Sequence, residues 1–224
     1  AEAAFSKHFE KKYSMGFVNG TGTLHTALEA LGIGPGDEVI VPPLTMSATA
    51  FSVLQANATP VFADVDPSTF QIDSKSFVDR MSDKTKAVMS VALYGGSPDY
   101  AAIKEAIGEV PLIEDNAEAF GTKYHGKEIG SFGIFSSYSF QSSKHLSSGE
   151  GGMLCTDSLE YADKARKFQS LGYRAVGATT HKIDKKDIQD PEYLRHEVLG
   201  WNYRMSDLTA GVVLGQIERS GELI

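Results

Sequence analysis

Leu24-His25-Thr26-Ala27-Leu28-Glu29-Ala30-Leu31, then Gly34-Pro35-Gly36-Asp37, then Glu38-Val39-Ile40-Val41: over this short stretch the pattern passes from helical to extended. Leu24, Leu28 and Leu31 share a face at helical spacing. The Gly-Pro-Gly-Asp tetrad is a turn, and the β-branched run after it suits a buried strand. The same alternation continues along the chain. Apolar runs at Glu38–Val41, Pro60–Val65, Ala87–Leu93, Pro111–Glu114, Ile134–Phe140 and Gly152–Thr156 alternate with helical periodicity. The helical stretches are Leu24–Leu31, Ala48–Ala56, Ser74–Met81, Tyr100–Ile107 and Leu159–Leu171. This order predicts an α/β fold, a mostly parallel central sheet flanked by helices. Ligands of such folds bind beyond the carboxyl ends of the strands, so chemistry is expected in the residues that follow each run.

Two further segments lie outside the alternation. From Gly172 to Gly200 both patterns fail, and the charged run His181-Lys182-Ile183-Asp184-Lys185-Lys186-Asp187 lies inside that stretch. It reads either as a solvated excursion or as an active-site or interface loop. Ser206-Asp207-Leu208 then opens another amphipathic helix, with Leu208, Val212 and Gly215 on one side.

Composition narrows the function classes. A chain of 224 residues, 42% hydrophobic and 22% charged, has an ordinary globular composition and can bury one substantial core. The 29 acidic residues outweigh the 21 basic ones, for a formal net charge of -8. That sign repels phosphate backbones and anionic lipids, so neither a nucleic-acid nor a membrane partner is expected. No apolar run approaches the roughly 20 residues that span a bilayer. Cys155 is the only cysteine, which fits a reducing compartment. A cytoplasmic location is the expectation.

Three segments carry chemistry. Asn19-Gly20-Thr21-Gly22-Thr23 immediately precedes the Leu24–Leu31 helix, so glycine amides and threonine hydroxyls meet a helix N-terminus where an anion can bind. The same residues also suit a helix cap with no ligand. Pro111-Leu112-Ile113-Glu114-Asp115 is an apolar strand ending in two acids, either to face a ligand or to cap a turn. Ser139-Phe140-Gln141-Ser142-Ser143-Lys144-His145 sets a lysine among small residues after a strand, ahead of the glycine-rich Gly149-Glu150-Gly151-Gly152 turn. Such a lysine is either a solvated loop residue or a desolvated nucleophile with space for a bulky group. Pyridoxal phosphate (PLP) needs this set: an amine to bond, an acid at the pyridine nitrogen and an anion site for the phosphate.

At this point the sequence resembles the DegT/DnrJ/EryC1/StrS family of sugar aminotransferases, of the fold type I, aspartate-aminotransferase-like class. The shared motifs run nearly end to end. They include Gly20-Thr21 before Leu24-His25, Gly34-Pro35-Gly36-Asp37-Glu38-Val39, Pro43-Leu44-Thr45, and Pro60-Val61-Phe62-Ala63-Asp64-Val65-Asp66. Ile113-Glu114-Asp115, Ser139-Phe140-Gln141-Ser142-Ser143-Lys144 and Asn202-Tyr203-Arg204-Met205-Ser206 follow in the family's order.

The resemblance implies the following roles. Lys144 and Asp115 are catalytic: Lys144 forms the internal aldimine with PLP and shuttles the proton, and Asp115 pairs with the pyridine nitrogen. Gly20, Thr21, Gly22 and Ser139 hold the phosphate. Met46 lies where many members set an aromatic residue over the ring, and a thioether also packs on a π face. Glu118 lies where the family usually has Gln or His near the phenolic oxygen. Asn202 reaches the phosphate of the neighbouring subunit, implying a homodimer with shared sites. Residues 1–224 correspond to the large PLP-binding domain, with both ends cut and the smaller C-terminal domain outside the chain. The implied activity is transfer of an amino group, from glutamate, to a keto sugar carried on a nucleotide. Two other readings remain: a keto-cyclitol acceptor of the scyllo-inosose type, and a non-catalytic PLP-binding regulator. A sugar dehydratase of the family is discounted, because it has histidine where Lys144 stands and His145 comes one residue late.

Overall fold

The computed structural model of the chain describes residues 1–180, 185 and 189–224. The charged run His181–Asp187, apart from Lys185, thus lies outside the described residues. In chain order the elements are α1 (Glu2–His8), β1 (Tyr13–Phe17), α2 (Gly20–Ala30), β2 (Glu38–Val41), α3 (Ala48–Gln55), β3 (Thr59–Phe62), α4 (Ser74–Val78) and β4 (Thr85–Val91). They continue with α5 (Tyr100–Ile107), β5 (Leu112–Asp115), the small β6 (Lys123–Tyr124) and β7 (Lys127–Glu128) hairpin, β8 (Phe135–Ser139) and β9 (Gly152–Thr156). The last are α6 (Leu159–Gln169), α7 (Asp207–Glu218) and α8 (Ser220–Leu223).

Seven strands form one sheet in the order β1-β9-β8-β5-β4-β2-β3. The pairs from β8 to β3 are parallel, and β9 is antiparallel to both of its neighbours. β1 therefore points the same way as β8, and β9 alone is reversed. The carboxyl ends of β1, β2, β4, β5 and β8 share one edge of the sheet, and β9 begins at that edge: Gly152 pairs with Phe17 on one side and Ser139 on the other.

Alternation along each strand sorts side chains into two helical layers. Val39 and Val41, Ala87 and Met89, Ile113, Phe135 and Leu154 face α2, α3 and α6. Ile40, Val88 and Leu112 face α4 and α5 on the opposite side, with Phe77, Tyr100, Ile103 and Ile107. Tyr138, Met153 and Cys155 meet Phe5 of α1, Phe9 just after it, and Val213 and Ile217 of α7.

Several expectations are corrected. β1 lies in a stretch that carried no strand signal: the short Tyr-Ser-Met-Gly-Phe segment is buried because α1, α6 and β9 surround it. The glycines of Asn19–Thr23 do not precede the helix but form its first turn, because the Asn19 side chain caps it by accepting from the Gly22 amide at 2.8 Å. On α7 the buried side is Val213 and Ile217, whereas Leu208 is 87% exposed and Val212 half-exposed. Pro60–Val65 shortens to end at Phe62, and Ala87–Leu93 ends at Val91, where Leu93–Gly95 turns as a 3-10 helix with Tyr94 left-handed at φ 55, ψ 27. The ends of the Gly172–Gly200 segment pair with each other, Arg174 donating to the Arg195 carbonyl and Glu197 to that of Gly172.

Candidate active site

Strand alternation separates the two acids of β5. Glu114 is fully buried on the α4/α5 side, where its carboxylate accepts backbone N–H groups from Gly130, Phe132 and Gly133. Burying a carboxylate inside a strand is costly, and three donors from one loop offset that cost. Asp115 ends the strand on the α2/α3 side, where it is buried too. Its Oδ1 accepts from Ala117 N at 3.2 Å, so it does cap the turn, while Oδ2 accepts from the Thr49 hydroxyl at 3.0 Å. Burial pushes the Asp115 pKa up, reinforced by the Glu118 charge. The hydrogen bonds from Thr49 and Ala117 and the charge of Lys144 oppose it.

Lys144 sits in the connection from β8 to β9. Phe140 N donates to the Gly151 carbonyl and Ser148 N to that of Phe140, closing the loop at its base. Leu146 anchors the loop in the core, and Ser147 N donates to Gln216 of α7. The lysine side chain is only 13% exposed, and Nζ donates to Glu118 Oε1 at 3.0 Å. Glu118 Oε2 accepts from the Tyr94 amide at 3.2 Å. Burial pushes the Glu118 carboxyl up, but the hydrogen bonds from Lys144 and Tyr94, with the charges of Lys144 and His145, hold it below the ordinary value. Tyr94, Glu118, Ser143, Lys144 and His145 line a cleft of about 230 Å³.

The phosphate candidates meet where β8 faces α2. Thr23 shares a hydrogen bond with Ser137 of β8, tying the helix's first turn to the strand. A Cβ added at Gly20 would lie 3.2 Å from Ser139 Cβ and 3.6 Å from its hydroxyl oxygen. The glycine-rich turn lets the next strand start hard against this corner: a Cβ at Gly152 would sit 2.5 Å from the Asn19 carbonyl oxygen. First-turn amides have no intrahelical acceptor; that of Gly22, expected at the phosphate, is engaged by Asn19.

Gly20, Thr21, Gly22 and Ser139 thus form one corner, and Lys144 and Glu118 a contact pair. Asp115 feels the charge of both members of that pair. Met46 is 64% exposed in the connection between β2 and α3. Asn202 is exposed and bridges to Ser170, while its neighbour Tyr203 packs on Gly22. Two residues escaped the sequence reading. Thr49 gave no signal beyond a hydroxyl at helical spacing, but a turn signal existed for Tyr94, which stands just before Gly95-Gly96.

Among the described residues no helix is long and apolar enough to cross a membrane, and no group of three or more His, Cys, Asp or Glu is arranged to hold a metal.

The chain is similar to GDP-perosamine synthase of Escherichia coli O157:H7, with 39% identity over 225 residues covering 100% of this chain and 58% of that protein. It is 37% identical to L-glutamine:2-deoxy-scyllo-inosose aminotransferase of Micromonospora echinospora, over 96% of this chain and 51% of that one. Among solved structures, an aminotransferase from Psychrobacter cryohalolentis superposes with a TM-score of 0.88 at 36% identity, covering 99% of this chain and 55% of that one. The chain thus spans a little over half the length of these relatives. The model of the DegT/DnrJ/EryC1/StrS aminotransferase family matches residues 1–224. By that match and these identities, the chain belongs to the DegT/DnrJ/EryC1/StrS aminotransferase family.

Proposed function

We propose that the protein is a PLP-dependent aminotransferase that moves an amino group from glutamate to a keto sugar carried on a nucleotide. It works as a cytoplasmic homodimer, and residues 1–224 form its large cofactor-binding domain. The observation that carries this reading is the buried carboxylate of Asp115 ending β5 within the electrostatic reach of the Lys144–Glu118 pair. Identity with GDP-perosamine synthases supports the nucleotide-linked acceptor.

The residues fit the cofactor. Gly152 packs hard against the Asn19–Gly20 backbone and Gly20 against the Ser139 side chain, which brings the first-turn amides and a hydroxyl together as an anion would need. PLP, when bound, supplies an electron sink that lets a proton leave the carbon bearing the amino group. Asp115 would hold positive charge at the ring nitrogen through a charge-assisted hydrogen bond. Thr21, Ser139 and the first-turn amides of Gly20 and Thr21 would take the phosphate, with the Gly22 amide sharing its donor between Asn19 and the phosphate. Met46 would lie against a ring face, and Asn202 would reach the phosphate in the other subunit. Lys144 would carry the amine that bonds the cofactor, and Glu118 Oε1 is a hydrogen-bonded acceptor for the proton that Nζ must first give up. The uncharged amine would also be the base that moves the substrate proton.

The test is incubation of the full-length protein with glutamate and a panel of keto-sugar nucleotides, with mass detection of the amino product. Lys144→Ala is expected to lose the borohydride-reducible cofactor adduct, and an adduct surviving in that variant overturns the assignment. A keto-cyclitol acceptor is the second reading, supported by the identity with the inosose aminotransferase. Including a keto-cyclitol in the panel, with glutamine beside glutamate as donor, separates the two.

A further inference from the structure

We propose that Thr49 is a positioning residue for Asp115: its buried hydroxyl fixes how the carboxylate is presented to the site, and so how tightly the protein holds PLP. The inference rests on the reading of the site given above.

Thr49 lies in the first turn of α3 and is fully buried. A threonine hydroxyl in a helix ordinarily returns to the carbonyl one turn back. Thr26 of α2 does so, donating to the Gly22 carbonyl at 2.7 Å. Thr49 does not. Its hydroxyl crosses to another element and donates to Asp115 Oδ2 at 3.0 Å. A hydroxyl has one hydrogen, so with that hydrogen on Asp115 the 3.2 Å contact between Thr45 Oγ1 and Thr49 Oγ1 has Thr45 as donor. The result is a directed chain, Thr45 to Thr49 to Asp115, from the connection after β2 to the end of β5.

Geometry gives the chain its purpose. Ala117 N holds only Oδ1, and the terminal torsion of an aspartate is broad and nearly two-fold. A second donor on Oδ2, from the helix that the carboxylate faces, fixes its plane. β-branching limits the Thr49 rotamers, so this donor is itself held. Thr45 and Thr49 also bracket Met46, so one pair of hydroxyls links the residue expected over the ring to the acid expected at its nitrogen. The Thr49 hydrogen bond also counters the rise that burial imposes on the Asp115 carboxyl, keeping its charge available.

The experiment titrates PLP into full-length wild type, Thr49→Val and Thr49→Ser, following visible absorbance across pH. Thr49→Val keeps the shape and removes the donor. It is expected to bind PLP on the order of tenfold more weakly, as suits one hydrogen bond lost from a buried carboxylate. The loss should be greatest at acid pH, because an Asp115 without its donor ionises at higher pH. Thr49→Ser restores the hydroxyl and is expected to restore affinity. In an Asp115→Asn background the Val substitution is expected to add little. Wild-type affinity and pH profile in Thr49→Val overturn the inference, as does an equal loss with or without the Asp115 carboxylate. If Thr49→Val does not fold, Thr49→Ala carries the same comparison. Wild type that takes up no PLP overturns the reading of the site itself, and is distinct from wild type and Thr49→Val that take it up alike.

Discussion

Replacing Gly152 by alanine is expected to destabilise the protein and loosen the phosphate corner together. The added Cβ would lie 2.5 Å from Asn19 O, 2.6 Å from Asn19 C and 3.0 Å from Gly20 N. All three are backbone atoms, so no side chain can swing away. Reaching ordinary contact at 3.4 Å requires the first of them to move by about 0.9 Å (3.4 − 2.5). β9 cannot yield freely, because Gly152 is paired with Phe17 and Ser139 on either side. The N-terminus of α2 must move instead. Overpacking of this kind costs about 1–3 kcal/mol. Restricting the unfolded chain returns about 0.4–1 kcal/mol, so at the middle of both ranges the clash prevails by about 1.3 kcal/mol. For a chain of this size that net loss corresponds to a fall in Tm of roughly 3–5 °C. Thermal unfolding followed by circular dichroism reads the first effect, and PLP titration the second. The same substitution at Gly211 of α7 meets nothing within 4 Å and is expected to stabilise by up to about 1 kcal/mol, giving a control of opposite sign. Gly152→Ala melting at or above wild type with unchanged PLP affinity would refute the steric account of this corner.

Three further outcomes are expected. His25 is buried between the Tyr203 hydroxyl at 3.1 Å and Glu29 at 3.3 Å, with Phe168 and Trp201 around it, and burial lowers its pKa to about 4. The unfolded chain takes up this proton near pH 6.5 and the folded one only near 4, so stability is full above 6.5 and falls through that window, by on the order of 3 kcal/mol. Urea unfolding of wild type and His25→Gln between pH 7 and 4 checks this, and parallel pH profiles count against it. Tyr94 keeps an unfavourable left-handed backbone although its ring is 75% exposed. Tyr94→Gly is expected to leave stability unchanged or raise it by up to about 1 kcal/mol of relieved strain while lowering kcat/KM, and a clear fall in Tm contradicts it. Sedimentation at several concentrations, following protein and cofactor absorbance together, is expected to show PLP retention falling as the dimer dissociates, and a monomer with full occupancy removes the role given to Asn202.

Much of the architecture was legible because local pattern and tertiary role agreed. Glu38–Val41, Tyr100–Ile107 and Gly152–Thr156 have the boundaries that their residues suggest, each a uniform run between turn residues. β1 was illegible because its burial depends on partners more than a hundred residues away, not on its own mixed composition. Leu208 and Val212 misled because α7 has apolar residues around most of its circumference, so sequence spacing could not choose the face that α1 and the sheet cover. In the site, Lys144 and Asp115 stood at strand ends, where chemistry was to be sought. Thr49 did not: a hydroxyl acquires meaning from what it faces, and Asp115 is 66 residues away in the chain.

The reversed strand β9 also sets an order of events. β1 lies at the edge of the sheet with β9 as its one strand neighbour, so Tyr13–Phe17 has no ladder to join until Gly152–Thr156 is in place. The ribosome delivers β1 early and its partner late, and the loop to be closed between them holds most of the remaining sheet. Asn19–Gly22 follows directly from β1, and Gly152 opens β9, so this corner is complete only when those two strands have paired. A small molecule that binds only the assembled corner stabilises the folded chain over any species in which β1 and β9 are apart.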